Sequence, residues 1–339
     1  MVHKDEKGME VIDKSNMRKI ILEFPKQFGV GLKAAKNIGT KGSFDKVLVC
    51  GMGGSALPAD ILNMWLEDQK MNLSLHIHRD YGLPYWADKK DLAVCISYSG
   101  NTEETLSAFE EARKKNLKIL AIASGGKLAQ LCRSHNIPIA IIPAGLQPRM
   151  ALGFQFAALM KILANSGLIQ SDLKDISDLE NLLKPKTLEN QGKKIAKNLK
   201  NKIPIVYASR KFQYLARIWK IKFNENSKTP AFYNYFPELN HNELVGFENN
   251  GSPTSIIILR DANDLPRIKK RMGLTASIMK ERDINVNIDI IEILGKNTIN
   301  KIFSSILLAD WASYYLALGY KVDPTPVKLN DEFKKRLLK

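Results

Sequence analysis

Residues 95–105, Cys-Ile-Ser-Tyr-Ser-Gly-Asn-Thr-Glu-Glu-Thr, carry the clearest chemistry in this chain. Val94, Cys95 and Ile96 end an apolar run that reads as a buried parallel strand. Ser97, Ser99 and Thr102 then set three hydroxyls around Gly100, just where Glu103 and Glu104 open a helix. Free N–H groups, hydroxyl donors and the positive end of a helix dipole together favour a phosphate monoester. The Gly-Lys-Ser/Thr of a nucleoside-triphosphate loop is missing, so a lone sugar phosphate fits better than ATP. An ordinary N-capped helix is the plain alternative, since Ser and Thr are common caps. Three hydroxyls within six residues favour phosphate.

Other segments offer chemistry with less definition. Gly51-Met52-Gly53-Gly54-Ser55 looks superficially like a dinucleotide fingerprint, but position 56 is Ala and no acidic residue ends the next strand, Asp80 lying late. Glycines that let backbone approach a sugar, with Ser55 helping the phosphate, suit this loop better. Arg149, in Pro148-Arg149-Met150, is either a surface residue or faces the crevice beyond the strand ends, where ligands bind in such sheets. Glu225 ends a helix and is either solvated or held as a base, while His241 lies in a polar loop, a place where a lone His is more often surface than catalytic. His76 and His78 alternate along a strand without further ligands nearby, so a solvated strand face is favoured over a metal pair.

Short apolar runs alternating with helical patterns must position these groups. Strands are expected at Lys46–Cys50, Asn72–Ile77, Leu92–Ile96, Lys118–Ala123 and Ile139–Ile142, with helices between them and a strongly apolar helix at Met150–Ala164. Residues 171–200 are polar and helical, and the domain boundary is placed at their start, dividing the chain into 1–170 and 171–339. The later half loosely repeats the order: a strand at Ile203–Ala208, a helix at Phe212–Glu225, then strands at Ile256–Leu259 and Asn287–Ile291. This predicts an α/β protein of two related units, each a parallel sheet flanked by helices on both faces. Only the first has Ser97-Tyr98-Ser99, so one phosphate site per chain is expected.

The 339 residues suit two domains of ordinary size. The composition, 45% hydrophobic and 25% charged, is that of a soluble globular protein. No apolar stretch is read as approaching the roughly 20 residues of a membrane span. The charged segment Met1–Asn16 lacks an apolar signal core, so export is not expected. Cys50, Cys95 and Cys132 are odd in number and read as small buried residues in a reducing cytoplasm. The net charge of +16 raises the question of nucleic acid, but the lysines are scattered without aromatic interleaving, which favours a solvated lysine surface.

Taken in order, Gly51–Ser55, Ser97–Thr102, Gln147-Pro148-Arg149, Phe223-Asn224-Glu225-Asn226, Asn240-His241-Asn242 and the tail Pro324-Thr325-Pro326 with Phe333-Lys334-Lys335-Arg336-Leu337 resemble a known family. This is the bifunctional phosphoglucose/phosphomannose isomerases of archaeal and bacterial type, built from two sugar isomerase (SIS) domains. The resemblance spans roughly residues 15–339, and its departures, at Met150 and Asn240, remove no chemical group. Ser-Tyr-Ser-Gly-Asn-Thr alone marks only a SIS domain; the glutamate, histidine and C-terminal lysine segments make it specific. It implies two SIS folds and interconversion of aldose and ketose phosphates through an enediolate. It further implies Glu225 as the base, Arg149 at the developing oxyanion, and His241 with Lys334 opening the ring. Gly54, Ser55, Ser97, Ser99 and Thr102 match the phosphate-binding residues, and Thr325 a sugar neighbour. No metal or other cofactor is implied. A cytoplasmic homodimer is, with His241 reaching the sugar of the neighbouring subunit, and the aromatic run Phe232-Tyr233-Asn234-Tyr235-Phe236 supplies a physical motive for an interface. Sugar-phosphate-sensing regulators share the fold but usually add a helix-turn-helix, which residues 1–45 do not evidently supply.

Overall fold

Continuous apolar runs set the strands, because a strand covered on both faces has no polar side to alternate with. Val47–Cys50 (β1) and Leu92–Ser97 (β3) are buried at every position, and Lys118–Ala123 (β4) at all but its first. The structure, a computed structural model, describes residues 11–249, 251–282, 284 and 286–337. Contacts group it into two bodies. One holds residues 23–183 and 298–300; the other gathers the described residues up to Leu22, within 184–297 and from Lys301 onward.

In the earlier body the sheet order is β2-β1-β3-β4-β5, all parallel, with Leu75–His78 (β2) and Ile139–Ile141 (β5) at the edges. Numbering helices from Met17–Glu23 as α1, the body has α2 (Lys26–Ala34), α3 (Leu57–Asp68), α4 (Glu103–Lys114), α5 (Gly126–Ser134) and α6 (Leu152–Asn165). Two short helices, α7 (Lys174–Ser177) and α8 (Leu179–Leu182), pack against α2. Cys50 and Cys95 sit side by side in register in the core, and all three cysteines are buried thiols.

The later body repeats the winding. Its order is β7-β6-β8-β9, again all parallel, from Ile203–Ser209 (β6), Phe232–Phe236 (β7), Thr254–Arg260 (β8) and Val286–Glu292 (β9). Two strands out and back in the same sense match β2-β1-β3-β4, as expected of a duplicated unit. Its helices are α9 (Pro185–Leu199), α10 (Gln213–Asn226), α11 (Pro266–Glu281), α12 (Thr298–Gly319, from Lys301 onward in this body) and α13 (Lys328–Leu337). Tyr207, Phe236, Ile256, Ile258 and Met272 form one face of its core.

Two sequence readings change. The 22-residue α12 is long and apolar enough to cross a membrane, where no such stretch was expected. Ser304, Ser305, Asp310 and Ser313 interrupt the run and hid it. The helix is a core element, with 78% of its most apolar window buried inside the protein. The aromatic run 232–236 is a strand at the sheet edge: Phe236 is buried edge-on to Tyr207, while Phe232 is 56% exposed.

Candidate active site

In the earlier body, β1 and β3 deliver their loops side by side because the strands are neighbours in register. After β3 the chain turns through Gly100, whose φ of +71° is left-handed. A Cβ there would lie 1.9 Å from the Gly125 carbonyl oxygen, so only glycine fits. The turn folds the hydroxyls onto each other. Ser97 is buried and its hydroxyl donates to Thr102 Oγ1 at 3.0 Å, while Ser99 is exposed and its Oγ accepts the Asn101 N–H at 3.2 Å. Thr102 is the N-cap residue of α4 yet makes no side-chain bond to that helix's own N–H groups. The first N–H groups of the helix thus have no cap from Thr102, an arrangement that suits an anion.

Ser55 joins this loop from β1: its buried Oγ accepts the Tyr98 N–H at 3.0 Å. Gly54 lies against the next segment, and a Cβ on it would stand 2.6 Å from the Arg149 nitrogen. Arg149 is fully buried on the short helical turn Pro148–Met150, its Nη1 donating to Gln147 Oε1 at 3.4 Å. The structure thus brings Gly54, Ser55, Ser97, Ser99, Thr102 and the Arg149 turn together. Sequence reasoning missed the residue that ties them. The Tyr98 hydroxyl donates to the Pro143 carbonyl at 2.9 Å and accepts the Leu146 N–H at 3.0 Å, fixing the segment that leads to Arg149. Burial pushes that phenol above its ordinary pKa. Its place between two serines was the available signal.

In the later body, Glu225 is the next-to-last residue of α10. One face of α10 is fixed by three polar contacts to α12. Trp219 Nε1 donates to Ser305 Oγ at 3.0 Å, Lys222 Nζ lies 2.7 Å from Asp310 Oδ1, and Asn226 Nδ2 donates to Ser313 Oγ at 2.9 Å. With that face committed, Glu225 borders a cavity of about 770 Å³, shared with Asn224, Lys228, Asp323, Pro326 and the start of α13. Thr325 lies in the turn before α13, where its N–H donates to Asp323 Oδ1 at 3.0 Å.

His241 and Lys334 do not line that cavity. His241 is exposed at the end of the turn Glu238–His241, and its neighbours are anchored: Asn240 Nδ2 donates to Thr275 Oγ1 at 2.9 Å and Asn242 Nδ2 to Glu238 Oε1 at 2.8 Å. Lys334 is exposed on α13, a helix that buries none of its residues. Among the described residues no three His, Cys, Asp or Glu side chains gather for a metal ion. His76 and His78 are half-buried and partnered rather than simply solvated: His76 meets the Trp86 ring edge-on at 4.8 Å, and His78 Nε2 donates to the Gly82 carbonyl at 2.9 Å.

Two parallel sheets with a hydroxyl-lined loop at the strand ends define a protein of SIS domains, and family models agree. Residues 43–163 match the SIS domain and residues 188–337 match the bacterial phospho-glucose isomerase C-terminal SIS domain. The fold is similar to that of the C-terminal domain of glucosamine-fructose-6-phosphate aminotransferase from Francisella tularensis, with a TM-score of 0.70 at 19% identity, covering 91% of this chain and 98% of that one. Among curated relatives, the bifunctional phosphoglucose/phosphomannose isomerase of Caldicellulosiruptor bescii is 40% identical over 94% of this chain and 97% of its own length. That of Aquifex aeolicus is 37% identical over 86% and 90%. The chain belongs to the bifunctional phosphoglucose/phosphomannose isomerase family.

Proposed function

We propose that this chain is an aldose–ketose isomerase that interconverts glucose 6-phosphate and mannose 6-phosphate with fructose 6-phosphate. The observation that carries the reading is the Ser97–Thr102 loop, whose hydroxyls surround a helix N-terminus left uncapped by Thr102. Family membership over nearly the whole chain supplies the reaction.

The chemistry assigns a role to each group. Ser55, Ser97, Ser99, Thr102 and the backbone at Gly54 hold the phosphate, so the earlier domain of the sequence division, 1–170, anchors the substrate. After His241 and Lys334 open the ring by proton exchange at O5 and O1, Glu225 takes the C2 proton of the aldose. The electron pair left behind forms the C1–C2 double bond as O1 gains a proton, giving the enediol(ate). Return of the proton to C1, as the O2 hydroxyl gives up its own proton and becomes the C2 carbonyl, gives the ketose. Arg149 is a fixed cation for the developing oxyanion, and such preorganised charge is commonly the largest single contribution to lowering a barrier. Thr325 is small enough to leave room for rotation about C2–C3 or for a water, which lets the enediolate be reprotonated on either face. Both aldoses then follow from one intermediate, and no metal enters the scheme.

The active unit is a cytoplasmic homodimer in which His241 serves the partner's site. Exposed Phe232 and Tyr233 on the edge strand β7, just ahead of the His241 turn, support an interface there. The test is a coupled assay with fructose 6-phosphate and mannose 6-phosphate. Both are turned over, and EDTA leaves both activities intact. No product from mannose 6-phosphate, beside turnover of glucose 6-phosphate, overturns the bifunctional reading.

A further inference from the structure

Lys228 follows the helix that carries Glu225 and adopts a left-handed backbone, with φ at +56°. Glycine is the usual occupant two residues past a helix end, because any Cβ is disfavoured in that conformation. Lys70 and Lys321 hold the same left-handed position past their own helices, so the backbone alone does not distinguish Lys228; its side-chain bonds do. The ammonium donates to the carbonyls of Glu225 at 2.6 Å, Asn226 at 3.2 Å and Pro324 at 3.0 Å. The first two are carbonyls of the last helical turn, at the negative end of the helix dipole.

Helix capping explains two of these bonds. It does not explain the third, which reaches a residue 96 positions away, immediately before Thr325. Both ends of this connection are stiff. Asn224 Nδ2 donates to the Thr229 carbonyl at 2.9 Å and Ser227 Oγ to the Phe223 carbonyl at 2.7 Å, closing the helix end into a knot. On the other side, Asp323 accepts the Thr325 N–H. Lys228 and Asp323 also border the same cavity as Glu225. One cation thus joins the backbone of the proposed base to the turn that carries the proposed selectivity residue.

We propose that Lys228 is a positioning residue that fixes the spacing between Glu225 and Thr325, and so sets how the enediolate divides between glucose and mannose products. The inference rests on the isomerase reading above. Rate depends steeply on such spacing: a misplacement of about 1 Å costs on the order of a hundredfold when reacting groups must meet in one geometry. Thr325 acts on rotation within the intermediate, so a loosened turn alters the product ratio as well as the rate.

The experiment compares Lys228→Gly, Lys228→Met and Lys228→Arg with wild type, measuring Tm, kcat and KM for fructose 6-phosphate, and the ratio of glucose 6-phosphate to mannose 6-phosphate formed. Glycine suits the left-handed backbone, so Lys228→Gly folds with Tm held, yet it lacks the cation. The expected result is a kcat lower by about tenfold or more in Lys228→Gly and Lys228→Met, KM within about twofold, and an altered product ratio. Lys228→Arg restores part of the rate. If Lys228 only caps the helix, Lys228→Gly matches wild type in kcat and product ratio, and the inference is overturned alone. A wild-type chain inactive on both sugars overturns the isomerase reading, and this inference with it.

Discussion

Lys222 Nζ lies 2.7 Å from Asp310 Oδ1, with both side chains sealed from water. The pair joins α10 to α12 one turn before Glu225, so an ion pair in the core helps orient the helix bearing the proposed base. Its value is in orientation more than in net stability, because removing two charges from water offsets most of their attraction. Replacing one partner is different, since it strands the other charge. Lys222→Met and Asp310→Leu are each expected to cost about 3–5 kcal/mol, with much of the loss recovered in the double variant. Denaturant unfolding of the four proteins reads this. Additive losses would show that the two charges act independently.

Ser99→Ala removes an exposed hydroxyl from the phosphate loop without touching the packed Ser97–Thr102 pair. A hydrogen bond to a charged group is worth about 1.5–3 kcal/mol and is made in ground and transition states alike. KM for fructose 6-phosphate is expected to rise roughly ten- to a hundredfold while kcat changes little. Steady-state kinetics on the variant measures it, and an unchanged KM would put the phosphate elsewhere.

Acid stability turns on Glu189. Burial alone would raise its carboxyl, but bonds from Arg18, Lys186 and Tyr315 outweigh that and lower it from 4.5 to about 2. A carboxyl depressed by folding stabilises the native state above its unfolded pKa, and that contribution fades as pH falls from about 4.5 through about 2. The Tm of wild type is expected to exceed that of Glu189→Gln at neutral pH, with the gap closing across that acid range. A gap that stays constant with pH would show that the network is not held by this charge.

Subunit mixing tests the proposed sharing of sites between subunits. Glu225→Gln and His241→Ala are each expected to be nearly inactive alone. In a heterodimer, one site then carries both lesions and the other neither, so a random mixture recovers toward about a quarter of wild-type activity. No recovery despite verified exchange of subunits would place both residues in one chain's site.

Strands β1, β3, β4, β6 and β8 were legible because each is built on an apolar run, a signal that needs no tertiary context. β7 was not, since Phe232–Phe236 mixes buried and exposed aromatics as an edge strand does. Buried serines and an aspartate broke the apolar pattern of α12, although the same residues are its bonds to α10. The hydroxyl loop could be read because Gly100 and the three hydroxyls are adjacent in the chain. The function of Lys228 could not: neither its left-handed backbone nor its bond to Pro324 leaves a mark in sequence spacing.

The most direct measurement of the central claim is solvent deuterium incorporation at C2 of the sugar phosphate by Glu225→Gln. The amide keeps the shape of the carboxylate and cannot take a proton. With Glu225 as the base, substrate binding stays near wild type, kcat falls by about 10²–10⁴-fold, and exchange at C2 falls with it. Exchange retained at the wild-type rate would contradict the account and assign the proton transfer to another group.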